Sequence, residues 1–586
     1  MSEVRIVIDL ALLLLISGGA ALVFAKIRMP PILGYITAGI ILGPSMIPDL
    51  WVEGGTVELL SSIGIVMLLF YIGLETEITE LREAGPRLLI IVLVQMPLMV
   101  ALGYLTGILL GMTAVQSIFL GAIISGTSTA VVVGVLKTAK HINAKMAKNI
   151  ITITIFEDVG QVLILTMAAP LLAGDTPALG STVNMIIGLV LFIMISVVFG
   201  MTLIPLVLDR IGRRYSTEIL LIVAVGACFA MAGVSSALGL DIAIGAFLMG
   251  MIISLSKFGH KILQKVEPVK ELFMAVFFVS IGLQVSPQLI LGNLGLALII
   301  AGVFIASKLA SIWLGCYLTN MTARDSLLVA TSLLAMGEFA FIIAAAALGA
   351  GVVSEGFYAA VIGAALITMF VMPLITKAQP VLYQKLTDHM PSSVRCALDN
   401  IDDIHAAASA GLDEQPQSPA RAAIRRSIYL IFVDGVVMVT VLLLFNALED
   451  YATTFATTAS NFNLLPQELL LILLIITISP VIYNMHTHVK RIAQSLTTVV
   501  MESPRKVGLD RTTVYKVFAN VFDVVLIIAI LVLLIPLMPG LTLVGPLGVL
   551  VALVCGGAVI ALAWDALHRV YARFCQLVTG PPREGR

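Results

Sequence analysis

Apolar runs long enough to cross a lipid bilayer recur along the whole chain, from residue 6 to residue 563, and short polar segments separate them. A membrane-spanning helix needs about 20 predominantly apolar residues, and counting at that length predicts about seventeen spans. On the same count, about thirteen spans fall in residues 1–380 and about four in residues 424–586. The pattern predicts an all-α polytopic membrane protein.

One segment interrupts this pattern. Residues 381–423 are polar, rich in small residues and nearly neutral. We expect them to form a cytoplasmic linker between a first membrane domain, residues 1–380, and a C-terminal membrane unit, residues 424–586.

The composition agrees with a membrane location. Hydrophobic residues make up 59% of the chain and charged residues 12%, and the mean hydropathy is +1.08. Soluble domains carry about a quarter charged residues. The formal net charge is −1 and no run rich in Lys and Arg occurs, so no nucleic-acid partner is expected. The five cysteines form no CxxC pair and no metal-ligand spacing, which favours small buried side chains over a disulfide framework.

The charges of the loops predict an orientation. If the N-terminus lies outside, the outward loops hold acids and no Lys or Arg, and most inward loops are basic. The inward basic residues include Lys26, Arg28, Lys137, Lys140, Arg210, Arg213, Lys257, Lys261, Lys490 and Arg491. One inward loop, LETEITELREAGPR, is net acidic. The positive-inside rule predicts an external N-terminus and a cytoplasmic C-terminus in the cell membrane.

Two adjacent acids stand inside an apolar run, TITIFEDVGQVLILTM, residues 152–167. At helical spacing one face carries four polar residues, Thr154, Glu157, Asp158 and Gln161. Such a face must point to the bundle interior or to a water-filled cavity, because a carboxylate that faces lipid costs several kcal/mol. A carboxyl there can hold a proton or a cation in turn, which is the basis of ion exchange. The alternative is an ion pair or hydrogen-bonded carboxyl that only holds helices together.

A lysine lies in the middle of another apolar run. Lys308 is the charged residue of LIIAGVFIASKLASIWLGCYL, and no acid is close to it in the sequence. A buried ammonium needs a partner, and Asp158 or Glu157 is the one we expect.

Two predicted spans are interrupted by small and hydroxyl residues. The first, IFLGAIISGTSTAVVVGVL, has Ser125, Gly126, Thr127, Ser128 and Thr129 at its centre, and the second, LLVATSLLAMGEFAFIIAAAA, has Gly337 and Glu338. Such clusters are places where a membrane helix unwinds and offers backbone groups to an ion, although Gly and Ser also serve close helix packing. The two spans are seven apart, and this odd separation gives them opposite orientations, as an inverted repeat requires.

Several stretches together resemble the monovalent cation:proton antiporter-2 family, which contains the Kef-type potassium efflux systems and the NapA-type sodium/proton antiporters. They are RMPPILGYITAGIILGP, GIVMLLFYIGLE, ISGTSTAVVVGVL, GLDIAIGAFLMGMIIS, EPVKELFMAVFFVSIGLQV and LLAMGEFAFII, in the family's order over about residues 5–380. The resemblance implies an NhaA/NapA-like antiporter fold with inverted repeats. It implies a core domain with two crossing broken helices and a panel domain for homodimerisation.

The resemblance also implies roles for single residues. Asp158 matches the family's cation- and proton-binding aspartate, and Thr127 and Ser128 match the unwound part of the first broken helix. Lys308 matches the charge-compensating basic residue, and Glu338 lies in the second break. Gly126, Thr129, Thr154, Gln161 and Gly337 are the supporting residues, and no cofactor or resident metal is implied.

This sequence departs from the family at two places. The position before Asp158, usually Asn, Gln or Asp, is Glu157, which with Lys308 favours electrogenic exchange. No GxGxxG motif lies in or after the linker, so the regulatory nucleotide-binding domain of Kef-type members is not expected.

We therefore expect a secondary transporter, not an enzyme, that exchanges K⁺ or Na⁺ for protons by alternating access and contributes to potassium or sodium transport and pH homeostasis. A gated potassium-efflux channel on the same fold is the main alternative. Two weaker alternatives are an intramembrane protease, which needs acids on two separate helices, and a non-transporting sensor, which would show no ion flux.

The C-terminal unit is less informative. Its interior polar residues are Asp434, Asn446, Asn484, Asn520 and Asp523. The segment 485–517, which contains His486 and His488, is expected to be a basic inward loop; an amphipathic stretch of it could bind anionic lipid or gate the transporter. The two histidines are spaced for metal ligation, but an interfacial position is favoured.

Overall fold

The computed structural model is helical throughout its described residues apart from turns, loops and one isolated β-bridge, which confirms the predicted all-α fold class. The structure describes residues 3–27, 29–43, 54–76, 78–139, 142–172, 192, 196, 200, 203–238, 242–389, 400–408, 410–411, 419–431, 433–435, 437–438, 441, 466–503 and 510–534. The predicted spans at 182–208 and 543–566 and the residue Asn446 lie wholly or mostly outside these ranges.

The chain forms two compact units. The first unit comprises residues 1–315 and 327–379, and the second comprises residues 316–326 and 380–586. The short segment 316–326 thus belongs with the C-terminal part of the chain although it lies between two helices of the first unit.

The helices of the first unit are numbered in chain order, and three of them, α12, α13 and α15, continue into residues of the second unit. They are α1 (Glu3–Lys26), α2 (Pro31–Leu42), α3 (Gly54–Glu75), α4 (Ile78–Leu109), α5 (Ala114–Ile124), α6 (Thr129–Thr138), α7 (Ala144–Leu172), α8 (Thr217–Ala237), α9 (Ile242–Ser254), α10 (Gly259–Leu283), α11 (Pro287–Gly292), α12 (Leu294–Leu318), α13 (Ala323–Thr331), α14 (Glu338–Gly349) and α15 (Glu355–His389).

Four apolar stretches among the described residues are long enough to cross a membrane as uninterrupted helices. They are Arg87–Leu109, Thr217–Ala237, Leu294–Leu318 and Glu355–Lys385. Six shorter apolar helices accompany them, including Ala114–Ile124 and Glu338–Gly349. The short lengths of these two follow from the breaks at Ser125–Ser128 and before Glu338, which each divide a predicted span into two half-helices.

Glycine pairs let helices of the first unit cross with their backbones almost in contact. A Cβ atom built on Gly39 of α2 would lie 2.8 Å from the Cα of Gly282 in α10, and one on Gly73 of α3 would lie 3.0 Å from the Cα of Gly250 in α9. Small residues at crossings are the usual solution inside a membrane, where close van der Waals packing drives helix association.

The second unit contains the helices α16 (Pro466–Glu502) and α17 (Arg511–Leu534) and the helical segments 400–408 and 419–431. Its buried core includes Ile404, Ala407, Ala408, Ile492, Ala493, Leu496, Val500, Val514, Phe518 and Ala519. The predicted basic loop is wrong over residues 487–502, which continue α16: apolar positions 492, 493, 496 and 500 recur at helical spacing and bury one face. Part of the predicted linker, residues 400–408, is likewise helical and contributes to this core.

The segment 316–326 is held by that same part of the linker. Asp402 accepts a hydrogen bond from the backbone N–H of Ala323 at 2.8 Å. The ring nitrogen Nδ1 of His405 lies 3.2 Å from the carbonyl oxygen of Met321, and the His405 ring packs edge-on against Tyr317. The loop that joins α12 to α13 is therefore fastened to the C-terminal part of the chain.

The two histidines of α16 have different acidic partners. His486 Nδ1 lies 2.9 Å from an oxygen of Asp523, and His488 Nε2 lies 4.0 Å from an oxygen of Asp434, which also accepts from the amide of Asn484 at 3.0 Å. Residues two apart on a helix point in different directions, so the two rings serve separate contacts.

Candidate functional site

The middle of α7 buries the polar face that the sequence predicts. Glu157 is 0% exposed and Asp158 2%, and Thr154 and Gln161 are also buried. Thr154 donates its hydroxyl proton to the carbonyl of Ile151 at 2.8 Å. Thr154 therefore supports its own helix, whereas the other three side chains reach toward neighbouring elements.

Glu157 is paired with the predicted lysine. The Nζ atom of Lys308 in α12 donates to both carboxylate oxygens of Glu157, each at 3.0 Å, and both side chains are fully buried. Of the two acids that the sequence offered as partners of Lys308, the structure pairs it with Glu157. The two-oxygen contact satisfies the ammonium and balances one of the buried negative charges.

Asp158 is bonded on one side only. Its Oδ2 accepts from the Thr129 hydroxyl at 2.8 Å. Its Oδ1 is buried and has no hydrogen-bond partner among the described residues. A buried carboxylate oxygen without a donor is unusual, because it loses hydration and gains nothing in return. This oxygen is available to a proton or a cation.

The two interrupted spans are both broken helices, and they cross. The first break separates α5 from α6 at residues 125–128, and the second separates α13 from α14 at residues 332–337. Thr127 and Met336 form an antiparallel β-bridge. The N–H of Ser128 donates to the carbonyl of Ala335 at 2.9 Å. The extended segments therefore satisfy part of each other's backbone, which is necessary for irregular structure at membrane depth.

Glycines make the crossing and its contact with α7 close. A Cβ on Gly337 would lie 2.7 Å from the carbonyl oxygen of Thr127, and a Cβ on Gly126 would lie 2.7 Å from the side chain of Gln161. Gln161 uses this space to donate its amide to the hydroxyl of Ser125. Both glycines predicted as supporting residues are thus explained by close approach.

Glu338 begins α14 at the crossing. It is 5% exposed, its Oε2 has no hydrogen-bond partner among the described residues, and its charge acts directly on Asp158. The hydroxyl of Ser128 caps α6 by accepting from the N–H of Val131 at 3.4 Å, and it also interacts with the Glu338 carboxyl. The structure therefore connects the two breaks with α7 through side chains as well as backbone.

Some residues of the site were missed by the sequence analysis. Gln95 in α4 is fully buried and donates to the carbonyl of Ser125 at 3.1 Å, and Thr368 in α15 accepts from the N–H of Met336 at 3.1 Å. Gln95 could have been found, because it is a single polar residue in the apolar run IIVLVQMPLMV. Thr368 gave no such signal, since threonines are common in membrane helices.

Lys270 was missed as well. It is buried in α10, pairs with Glu271 at 2.7 Å and lies over the ring of Tyr71. Its charge acts on Glu338, and that of Glu75 at the end of α3 acts on Asp158. Charged groups of these two helices therefore influence the carboxyls at the crossing.

The site offers several buried oxygen atoms, the kind of ligand that a monovalent cation takes. Besides Asp158 and Glu338, three buried oxygens on elements around the crossing have no hydrogen-bond partner in the described part of the chain: Gln95 Oε1, Gln161 Oε1 and Ser332 Oγ. Glu157, Asp158 and Glu338 carry more negative charge than Lys308 balances when all four are ionised. A proton or a cation at these carboxylates would relieve this excess.

The fold of the first unit is that of a known class of membrane transporters. A solved structure of the sodium proton antiporter MjNhaP1 from Methanocaldococcus jannaschii superimposes with a TM-score of 0.54, at 15% identity, over 65% of this chain and 99% of the other. At this identity the similarity concerns the fold, and it agrees with the predicted antiporter architecture.

Sequence comparison then gives the family. The Na(+)/H(+)-K(+) antiporter GerN of Bacillus cereus is 27% identical over 377 residues, which cover 64% of this chain and 96% of the relative. The K(+) efflux antiporter 5 of Arabidopsis thaliana is 29% identical over 385 residues, which cover 64% of this chain and 67% of the relative. Residues 11–379 match the family model described as sodium/hydrogen exchanger, transmembrane, and the chain belongs to this family.

Proposed function

We propose that this protein exchanges a monovalent cation, K⁺ or Na⁺, for protons by alternating access, with Asp158 as the shared site. The family and the antiporter relatives support cation:proton exchange. They do not favour the alternative of a gated channel. The single observation that supports Asp158 is the difference between the two adjacent acids: Lys308 donates to both oxygens of Glu157, whereas one buried oxygen of Asp158 has no partner in the described part of the chain.

The exchange follows from competition at this carboxylate. When Asp158 is deprotonated, a cation binds its free oxygen together with oxygens of the Thr127–Ser128 segment and of Glu338, while Glu157 stays paired with Lys308. When Asp158 takes up a proton, the new O–H bond removes the negative charge and the cation leaves. Movement of the core domain against the panel domain then changes the side from which the site is reached.

Replacing Asp158 by Asn tests this proposal. The full-length protein is reconstituted into liposomes that contain a pH-sensitive dye, and Na⁺ or K⁺ is added outside. We expect cation-dependent proton movement by the wild type, none by Asp158→Asn, and nearly wild-type movement by Glu355→Gln, which removes an exposed carboxylate. Full activity of a folded Asp158→Asn variant would disprove the assignment.

A second assay separates an antiporter from a channel. An imposed pH gradient drives an antiporter to move the cation against its own concentration gradient. A channel allows the cation to move only down its electrochemical gradient. We expect uphill uptake of radioactive rubidium or sodium when the lumen is made acidic. Uptake that never exceeds equilibrium would support the channel.

Three further features are part of the proposal. The protein is a homodimer through the panel domain, it has an external N-terminus and a cytoplasmic C-terminus in the cell membrane, and its exchange contributes to pH homeostasis. The loop charges support the orientation. Light scattering of the detergent complex measures the oligomeric state, and labelling of single cysteines placed in the loops measures the orientation.

A further inference from the structure

The second unit contains a basic groove, and the residues that line it have no role in the exchange mechanism proposed above. Two adjoining cavities, of about 720 and 480 Å³, share the lining residues Ala423, Gln494 and Ser495. Arg511 lines the first cavity, and Arg426 and Arg491 line the second. The three arginines come from the helical segment 419–431, from α16 and from α17, so the folding of three elements brings them together.

None of these three arginines is neutralised by the part of the protein that the structure describes. All three are exposed, and no ion pair with a described carboxylate is found for them. The nearest acid in the sequence, Asp510, accepts hydrogen bonds from the hydroxyls of Thr512 and Thr513, and these bonds lower the pKa of Asp510 to about 2. Asp510 is therefore charged, and its carboxylate oxygens are bonded to the threonines that follow it.

Arg511 lies at the positive end of a helix dipole. It is the first residue of α17, where a cation is disfavoured, and the Asp510 carboxylate, which accepts from the N–H of Thr513, offsets part of this effect. An anion beside Arg511 interacts with both the guanidinium and the free N–H groups of this helix end. Hydroxyl groups of Thr497, Thr498, Thr512 and Tyr515 also line the groove. The three threonine hydroxyls already donate to Ala493, Gln494 and Asp510, so Tyr515 is the hydroxyl donor that the groove offers a ligand.

We propose that this groove binds a phosphate group, either as the headgroup of an anionic lipid or as part of a soluble phosphate-bearing ligand. Guanidinium groups bind phosphate through paired hydrogen bonds, and three of them with the Tyr515 hydroxyl provide more contacts than a single phosphate needs. The positive-inside rule predicts that Arg491 and Arg511 lie on the cytoplasmic side, where anionic lipid headgroups and soluble phosphates are both present.

Two matched triple variants test the proposal. One, Arg426→Gln/Arg491→Gln/Arg511→Gln, empties the groove of charge. The other, Arg425→Gln/Lys490→Gln/Lys516→Gln, removes the same number of charges from exposed residues of the same three helical elements that do not line the groove. Both are made in the full-length protein, and their proton-exchange activity and monodispersity show whether they fold. The single variant Arg491→Gln replaces the first triple if that triple does not fold.

The probes are phosphatidylglycerol against phosphatidylcholine, counted by native mass spectrometry, and inorganic phosphate against chloride at equal ionic strength, followed by thermal unfolding. We expect at least a tenfold loss of affinity in the groove triple, about threefold in Arg491→Gln, and less than twofold in the control triple. Binding of phosphatidylglycerol alone identifies a lipid headgroup, and binding of inorganic phosphate as well identifies a soluble source. Equal losses in both triples, or no binding of either probe to the wild type, would overturn the proposal.

Discussion

Lys308 donates to both oxygens of Glu157 at 3.0 Å, and neither side chain is exposed to solvent. The neighbouring Asp158 accepts from Thr129 through one oxygen, and its other oxygen has no hydrogen-bond partner among the described residues. Two acids that are adjacent in the sequence thus have different environments, one paired with a lysine and one with an unbonded oxygen.

The buried pair predicts strong coupling between its members. Lys308→Met or Glu157→Gln alone leaves an uncompensated buried group, and we expect each to lower the free energy of unfolding by about 3–5 kcal/mol. The double variant should be destabilised by less than the sum, with a coupling energy of at least about 1 kcal/mol. Denaturant titrations of the four proteins in detergent measure this cycle. Additive effects would show that the pair is not an interacting unit.

The crossing of the broken helices predicts a requirement for glycine at position 337. In Gly337→Ala the new methyl group would lie 2.7 Å from the Thr127 carbonyl oxygen, so the extended segments must separate. We expect a loss of stability of about 1–3 kcal/mol and loss of most exchange activity. Gly349→Ala, at the other end of the same helix, is the control, because nothing lies within 4 Å of the added atom. Equal activity of the two variants in the liposome assay would contradict the described crossing.

Gln95, which the sequence analysis missed, is expected to stabilise the first helix break. Gln95→Met removes the donor to the Ser125 carbonyl, and we expect it to destabilise the protein by about 1–2 kcal/mol. Gln379→Met is the matched control, since Gln379 is also buried but its amide nitrogen has no hydrogen-bond partner among the described residues. The decrease in the free energy of unfolding should be smaller for Gln379→Met than for Gln95→Met by about 1 kcal/mol in the same denaturant titration. A larger loss for Gln379→Met would rule out this role for Gln95.

The contact between Asp402 and Ala323 predicts a capping effect. Asp402→Ala removes an acceptor from the first N–H of α13, and helix caps contribute about 1 kcal/mol. We expect Asp402→Ala to lower the free energy of unfolding by about that amount, and Asp403→Ala, which leaves the hydrogen bond between Asp402 and Ala323 in place, to lower it by less. Hydrogen exchange of the Ala323 amide, followed by mass spectrometry, should be faster in Asp402→Ala only. Unchanged exchange there would show that the loop is held by other contacts.

The breaks and the acidic face were predictable because they violate the apolar pattern. Charges, glycines and hydroxyls have no local reason to interrupt a membrane helix, so Asp158, Lys308, Ser128 and Gly337 are visible in the sequence. Thr368 and Lys270 were missed because a threonine in a membrane helix, or a lysine among loop charges, has an ordinary explanation. The helix at 487–502 was missed because its charged residues were counted as a loop and its apolar spacing was not tested.

The sequence by itself determined the class of protein, the family and the residues that carry charge into the membrane, since all of these follow from composition, spacing and motif. Only the tertiary structure decided that Lys308 pairs with Glu157, that Asp158 keeps a free oxygen, and that α12 and α13 are joined through a loop held by Asp402. Two adjacent carboxylates are chemically almost equivalent in a sequence. The packing of α12 and of the first break against α7 makes them different, because it decides which oxygen receives a hydrogen bond.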